Sequence, residues 1–132
     1  DDNRWMHRAA MDWKRAEKRA KKNTPEEKVF SMLKRMIKVR RSVVEFADEN
    51  NTQLIEVSNE HIFAFQRTFE GKSTLVIANF KDSDQEIYPH LVFPQTQVNP
   101  FKMVDRISGK SVKTSEGKLT LKPYQFYWLT NK

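Results

Sequence analysis

The sequence predicts an α+β fold, in which an N-terminal segment of one or two helices precedes an antiparallel Greek-key β-sandwich. Helical periodicity in the first part, a change to strand-like alternation after residue 51, and many short apolar segments separated by turn clusters all support this class. Short strands at regular spacing are typical of a sandwich or barrel. With 132 residues, of which 38% are hydrophobic, the chain is long enough to bury a real core.

The first helix is predicted over residues 9–22, where alanine, lysine, arginine and glutamate dominate. Its apolar positions recur at steps of four, three and four residues, as expected for one face of a helix. These positions are Ala9, Trp13, Ala16 and Ala20. Because this stripe is thin, we expect the helix to need a partner to pack against.

A second, longer helix is predicted to begin at Thr24-Pro25. Thr24 can accept a hydrogen bond from the backbone of Glu27, and Glu27 can bond back to Thr24, while Pro25 suits the first helical position. The helix should run for about five turns and end near residues 48–51. Its predicted stripe contains Val29, Leu33, Met36, Ile37, Arg40, Val43 and Val44, with Phe30 beside it.

After residue 51 the pattern becomes strand-like, and the turn clusters contain Gly, Asn, Asp and Ser. The run Leu75–Ala78 is continuously apolar and therefore predicts a strand covered on both faces. Because the pattern changes near residue 51, we place a domain boundary between residues 1–50 and 51–132. The predicted strands are 53–57, 61–69, 73–80, 85–88, 101–107, 110–113, 118–122 and 124–130.

The sequence contains no complete set of catalytic or metal-binding residues. A glycosidase needs two carboxylates held across the sugar, but Asp82 and Asp84 flank a turn, which explains them without chemistry. The three histidines, at His7, His61 and His90, lack zinc spacing. We therefore assign no catalytic residue, no metal ligand and no cofactor to this chain.

Composition excludes several further classes. Without cysteine there can be no disulfide or thiolate chemistry, and the chain is compatible with a reducing cytoplasm, where we expect it. No run of 18 apolar residues exists, so we expect no membrane span. The sequence starts in a polar segment at Asp1, not at Met, which suggests a piece of a longer protein.

The net charge of +7 is concentrated in residues 14–22 and 34–41. Such asymmetry can indicate nucleic-acid binding, which would be sensitive to salt. Here the basic residues surround the helices and do not form one stripe with interleaved aromatic residues. A solvated helix face is the better explanation, and we expect no nucleic-acid partner.

The aromatic end of the chain, residues 123–129, could be a sugar-stacking platform. Alternation places Tyr124, Phe126 and Trp128 on one face, and Tyr127 and Leu129 on the other. Because both faces are apolar, burial inside a sandwich is favoured.

Several segments together resemble amylosucrases, of the α-amylase superfamily, over essentially the whole chain. The segment Asp2-Asn3-Arg4-Trp5-Met6-His7-Arg8 is similar to their Asp-x-Arg-Trp-x-His-Arg loop. Residues 36–42 resemble the last barrel helix, and residues 119–129 resemble the closing strands of the C-terminal domain. Ala9 departs from the pattern, since the family usually has Pro there.

The resemblance implies a parent enzyme that transfers glucose from sucrose to α-1,4-glucan with retention, on a (β/α)8 barrel followed by a β-sandwich. Residues 1–50 would then be the end of that barrel, and residues 51–132 the sandwich. The arginine matching Arg4 would lie near the floor of the glucosyl pocket in the full-length enzyme. The catalytic carboxylates would lie before residue 1, so this chain would be inactive alone.

Two functions follow as hypotheses. The first is a structural, stabilising domain whose partner is the missing barrel, with self-association through the exposed helix when the barrel is absent. The alternative is a carbohydrate-binding module that recognises α-glucan. In the full-length enzyme, α-glucan or sucrose would be the ligand.

Overall fold

The computed structural model describes residues 10–48 and 50–131. It contains two compact units, Asp1–Lys38 and Val39–Lys132. Short helices precede two antiparallel sheets, which confirms the predicted α+β class with a β-sandwich. The domain boundary near residue 51 concerns the organisation of the parent protein and stays a prediction.

In the first unit, a short helix lies against the start of a long one. Helix α1 (Trp13–Glu17) begins where the Asp12 carboxylate accepts a hydrogen bond from the Arg15 N–H, and it continues as a 3-10 turn, Lys18–Ala20. Helix α2 spans Pro25–Ser42 and extends into the second unit. Arg15 Nε lies 3.1 Å from Glu26 Oε1, and the Arg19 guanidinium lies 5.8 Å from the Phe30 ring centre. These contacts join α1 to the first turns of α2.

The predicted cap of α2 is confirmed in part. The Glu27 N–H donates to Thr24 Oγ1 at 3.2 Å, as the sequence predicts. The prediction that the Glu27 side chain bonds back to Thr24 is wrong, because Glu27 Oε1 instead accepts from the Ser31 hydroxyl at 2.8 Å. Thr24 Oγ1 also lies 2.8 Å from the Lys18 carbonyl oxygen and 2.9 Å from that of Lys21, and it can donate its one hydrogen to either. One hydroxyl therefore ends the preceding turn and starts the long helix.

The second unit is built from a five-stranded sheet and a two-stranded sheet. The large sheet has the order β1-β2-β3-β7-β5, and the small sheet pairs β4 with β6. The first hairpin turns at Glu70-Gly71, where both residues have positive φ, the geometry that matches strand twist in a two-residue loop. The strands are β1 (Thr52–Leu54), β2 (Ile62–Phe69), β3 (Lys72–Asn79), β4 (Gln85–Ile87), β5 (Met103–Asp105), β6 (Leu119–Leu121) and β7 (Phe126–Asn131).

The core lies between the two sheets. Leu75, Ile77 and Leu129 of the large sheet and Leu121 of the small sheet have no solvent exposure. A short helix α3 (Pro89–Val92) and the 3-10 turn Phe93–Gln95 close one side. Val76, between Leu75 and Ile77, is buried on the opposite face of β3, so the predicted burial of this strand on both faces is confirmed.

Several predicted elements differ from the structure. The first helix, predicted over residues 9–22, is a short helix Trp13–Glu17 with a 3-10 turn, and the strand predicted at 101–107 is only Met103–Asp105. Residues 110–113 form no strand, because only Ser111 bridges Val104. Helix α2 ends at Ser42, and the chain then turns through an extended Val43 into a 3-10 turn, Val44–Phe46. Val43 and Phe46 are buried in the second unit. Packing of these two side chains overrides the helical periodicity that continues through Val44.

Candidate functional site

The segment of residues 43–48, called here the strap, covers part of the outer face of the large sheet. The Phe46 and Trp128 rings pack with their centres 4.9 Å apart and their planes tilted by 56°. Both side chains are only 8% exposed. By register, the outer face carries Leu54, Phe63, Phe65, Arg67, Thr74, Val76, Ala78, Phe126, Trp128 and Thr130.

Polar contacts fix the strap to this face. Thr74 Oγ1 donates to Glu45 Oε1 at 3.2 Å, and both residues are buried. Asn51 Nδ2 donates to the carbonyls of Glu45 at 3.0 Å and Thr68 at 2.7 Å. Arg67 donates to the Asp48 carbonyl and to Asn51 Oδ1. Residues 45–48 are therefore held on the sheet by side-chain hydrogen bonds.

Beyond the strap, part of the outer face is apolar and exposed to solvent. Leu54 is 70% exposed and Phe63 is 47% exposed. Phe63 and Phe65 lie beside each other with ring centres 5.8 Å apart. From the sequence we expect Phe63 to be buried in the sandwich, as Ile77 and Trp128 are, and this expectation is wrong, because β2 buries Ile62 and Ala64 on its other face. A contiguous exposed apolar patch marks an interaction surface more often than an isolated exposed leucine does.

The outer face of the small sheet has the opposite character. Lys118 Nζ donates to Glu86 Oε2 at 2.7 Å, and Lys122 Nζ donates to Asp84 Oδ2 at 2.6 Å. The hydrogen bond to Glu86 raises the pKa of Lys118, and the hydrogen bond to Asp84 raises the pKa of Lys122. Such exposed ion pairs suit a surface that faces water.

Several pockets of similar size open in the second unit, among them one polar and one apolar pocket. One is polar, about 430 Å³ in volume, and is lined by Glu45, Lys72, Gln97, Arg106 and other residues at one end of the large sheet. The other is apolar and about 440 Å³ in volume. It is lined by Pro89, His90, Phe93, Pro94, Pro100, Phe101, Thr114 and Gly117.

The family model for the maltogenic amylase C-terminal domain matches residues 52–128, more than half of the chain. The chain belongs to this family. A search of curated proteins finds no match to the sequence.

Among solved structures, an α-amylase from Anoxybacillus matches with a TM-score of 0.58 and 16% identity, over 84% of this chain and 24% of that protein. AmyP in complex with maltose matches with a TM-score of 0.45 and 13% identity, over 59% of this chain and 16% of that protein. At this identity the Anoxybacillus amylase shows a shared fold. The chain spans about a quarter or less of the length of these proteins.

The residues singled out in the sequence have different places in this maltogenic amylase C-terminal domain. Arg4, the predicted substrate-binding residue, lies outside the described residues, as does His7. Trp128, a candidate for sugar stacking, is buried under Phe46, as the two apolar faces of its segment predict. Asp84 pairs with Lys122.

The described residues offer no ready-made metal centre or membrane segment. Across residues 10–48 and 50–131, no three His, Cys, Asp or Glu side chains are grouped so that they could hold a metal ion. Over the same residues, none of the helices combines the length and the apolar character that a membrane span requires.

Sequence reasoning missed two features of this domain. The open patch around Leu54 and Phe63 was not predicted, because alternation alone does not tell which face of a strand is covered. The apolar pocket was missed because its walls come from separate turns near residues 89–101 and 114–117. The cluster of three prolines at positions 89, 94 and 100 was the available signal.

Proposed function

We propose that this chain is the non-catalytic C-terminal part of an α-amylase-family glucosyltransferase resembling amylosucrase, and that it docks on and stabilises the catalytic barrel. The observation that carries this proposal is the contrast between the two outer faces of the sandwich. The large sheet exposes Leu54 and Phe63 next to the strap, whereas the small sheet exposes ion pairs. The apolar face suits a protein neighbour, and the charged face suits solvent.

The stripe of helix α2 supports the same proposal. Val29, Leu33 and Ile37, spaced by four residues on one helix face, are 60%, 53% and 53% exposed. An amphipathic helix with an uncovered stripe is incomplete by itself. In the parent enzyme this stripe would pack as the last helix of the barrel, consistent with residues 1–50 being the end of that barrel.

The amylosucrase assignment depends on the sequence loop at residues 2–8. In this proposal the parent transfers glucose from sucrose to α-1,4-glucan with retention, and Arg4 lines the glucosyl pocket. A fixed guanidinium there would pair with a carboxylate of the barrel and limit the depth of the pocket. The lack of cysteine is compatible with the cytoplasmic location that we propose, and cell fractionation would test it.

The first experiment asks whether the chain has turnover. Incubation of residues 1–132 with sucrose should release no glucose or fructose and form no glucan, because a barrel of about 250 residues is missing. The full-length protein, assayed in parallel, should form glucan from sucrose. Turnover by the short chain would contradict its non-catalytic role, and a full-length protein that only hydrolyses starch would contradict the amylosucrase assignment.

A second experiment tests docking in the full-length protein. The pair Leu54→Ser and Phe63→Ser should lower the thermal midpoint of the full-length enzyme but leave that of the isolated chain almost unchanged. Leu91→Ser is the matched control, because Leu91 is 49% exposed and lies outside the apolar face. If the two sets of substitutions lower the thermal midpoint of the full-length enzyme equally, the barrel does not dock on the face around Leu54 and Phe63.

An α-glucan-binding module remains the second candidate function. The version that uses Trp128 as a stacking platform is not supported, since Trp128 is buried. The apolar pocket beside Phe101 favours the module, because Phe101 is 89% exposed at a concave site.

A further inference from the structure

The polar pocket is a concave site at one end of the large sheet, and all of its lining residues belong to the second unit. Its volume of about 430 Å³ lies within the usual range for small-ligand sites. The strap, strands β3 and β7 and the turn after β5 all contribute to its walls. The packed sandwich therefore builds this site without help from another domain.

Three side chains bring unused hydrogen-bond donors to the polar pocket. Lys72 and Arg106 are exposed, and within residues 10–48 and 50–131 neither side chain has an ion-pair partner. Gln97 Oε1 accepts from the Ser73 hydroxyl at 2.9 Å, which leaves the Gln97 Nε2 amide available. Strand β7 lies between β3, which begins at Lys72, and β5, which Arg106 follows. The two cations therefore reach the pocket from opposite sides of β7.

The hydroxyl groups of the pocket already donate to protein carbonyls and amides. The Ser73 hydroxyl donates to Gln97, the Thr130 hydroxyl donates to the Ser73 carbonyl at 3.2 Å, and the Ser42 hydroxyl donates to the Val39 carbonyl at 2.8 Å. The donors that remain available are thus the two cations and one amide. A ligand that brings negative charge and several acceptor oxygens would satisfy them with charge-assisted hydrogen bonds.

Glu45 adds a second requirement, because it supplies the one carboxylate among the described residues that line the pocket. Glu45 is only 6% exposed, and its Oε1 accepts from Thr74 Oγ1 at 3.2 Å. No other described side chain donates to this carboxylate, so its Oε2 is available to a donor from a ligand. A buried carboxylate is costly unless donors reach it. The ligand should therefore combine an anionic group with hydroxyl groups.

We propose that the polar pocket binds a phosphate monoester that also carries hydroxyl groups, as a hexose phosphate does. The phosphate oxygens accept from Lys72, Arg106 and Gln97 Nε2, and a ligand hydroxyl donates to Glu45. An amino acid also offers an anion and a donor, but it has no net charge. The pocket has one more cation than carboxylate, and the chain carries a net charge of +7, so a net anion is favoured.

This inference goes beyond the proposed function and is independent of it. Docking of the barrel is assigned to the face around Leu54 and Phe63, and neither residue lines the polar pocket. The domain can therefore bind a small anion at one end of the large sheet while another part of the same sheet contacts the barrel.

The test titrates the whole 132-residue chain with glucose 6-phosphate at low ionic strength and follows the amide signals by NMR. Shifts should concentrate at Lys72, Ser73, Gln97 and Arg106, and added salt should weaken binding. Inorganic phosphate should bind more weakly at the same amides, because it offers no hydroxyl group placed to reach Glu45. Glucose should cause no shifts there, because it has no charge for the two cations.

Removal of the two cations tests their role. Lys72→Gln with Arg106→Gln should weaken binding of glucose 6-phosphate about ten-fold or more. Both side chains are exposed, so the circular dichroism spectrum should not change. Lys34→Gln with Lys38→Gln is the matched control, since it removes the same charge from exposed lysines of the first unit. This control should leave binding almost unchanged.

Glu45→Gln separates the two parts of the ligand. Its amide oxygen can still accept from Thr74, while its amide nitrogen replaces the acceptor Oε2 with a donor. The variant should bind inorganic phosphate at least as tightly as the parent chain does. Its preference for glucose 6-phosphate over inorganic phosphate should disappear.

The proposal is overturned if glucose 6-phosphate causes no shifts at the pocket, if inorganic phosphate binds as tightly as glucose 6-phosphate, or if glucose alone binds there. Unchanged binding after substitution of Lys72 and Arg106 would also overturn it. An equal loss in the Lys34 and Lys38 control would mean that only the net charge of the chain attracts the anion. None of these results bears on docking, which the thermal midpoints of the full-length enzyme test separately.

Discussion

Asp105 is a buried carboxylate that organises the turn after β5. Its Oδ1 accepts from the N–H groups of Ile107 at 3.2 Å and Trp128 at 3.1 Å, and its Oδ2 accepts from Ser108 at 2.8 Å. Asp105→Ala would leave these donors without a partner. We expect it to lower the free energy of unfolding by about 2–4 kcal/mol, measured by urea denaturation.

The control for Asp105 is a substitution that retains an acceptor. Asp105→Asn keeps one side-chain oxygen and should therefore cost less than Asp105→Ala. If the two variants unfold at the same urea concentration, the three backbone hydrogen bonds do not determine the stability of this turn.

Tyr127 gives the second prediction, which concerns pH. Burial raises the pKa of the Tyr127 phenol above its usual value of 10.0, and the nearby charge of Asp105 raises it further, although the bond from Gln125 Nε2 opposes this. Since the folded pKa is the higher one, the folded state holds the proton more tightly. The contribution of Tyr127 to the free energy of unfolding is therefore at its maximum below pH 10.0, and it is lost as the pH rises through the pKa of Tyr127 in the folded state.

Ultraviolet titration of phenolate would check this behaviour. The native chain should show one tyrosine that ionises above the usual range, and Tyr127→Phe should abolish that late step. If the late step persists in Tyr127→Phe, the assignment to Tyr127 is wrong.

At the scale of single residues, the sequence predicts roles that depend on neighbours along the chain. Thr24 is predicted as a cap because Pro25 and Glu27 follow it, and the Glu27 N–H bond confirms it. The roles of Asp105 and Asn79 depend on partners far along the chain. Asn79 Nδ2 donates to the carbonyls of Leu121 and Lys122, 42 and 43 residues away. No local pattern could have predicted those contacts.

At the scale of elements, the strands with several paired residues are predicted well. Strands β2 and β3 pair over their whole length, and their alternation and apolar content are evident in the sequence. Residues 110–113, Lys-Ser-Val-Lys, are predicted as a strand but contain one apolar residue, and a single bridge to Val104 is too little pairing for a strand. The pocket could not be predicted, since its walls come from turns whose approach depends on the packing of the sheets.

The strap gives a prediction at this scale, because the Phe46–Trp128 contact is its main aromatic contact with the sheet, beside the polar contacts of Glu45 and Asp48. Phe46→Ala would remove the ring that covers Trp128, and we expect the free energy of unfolding to fall by about 3 kcal/mol. Phe80→Ala is the control, since Phe80 is 68% exposed and its truncation should cost little. Similar denaturation midpoints for both variants would mean that the strap does not stabilise the sheet.

At the scale of the whole second unit, the outer faces of the two sheets differ in character. Leu54 and Phe63 are exposed on the outer face of the large sheet, whereas the ion pairs of Lys118 and Lys122 lie on the outer face of the small sheet. Along helix α2, the stripe of Val29, Leu33 and Ile37 is exposed as well. A domain that functions alone would be expected to distribute these residues more evenly. This separation is the physical reason to expect a large protein neighbour.

The last prediction concerns the chain when that neighbour is absent. The exposed α2 stripe of Val29, Leu33 and Ile37 should then be buried by association with a second copy of the chain. Light scattering should therefore give a concentration-dependent mass above the monomer mass of 15.7 kDa. Leu33→Gln with Ile37→Gln should shift the mass towards the monomer. Lys34→Gln with Lys38→Gln, on the same helix, should leave it unchanged. A chain that stays monomeric at every concentration would show that the stripe needs no cover, and it would remove the support that helix α2 gives to barrel docking.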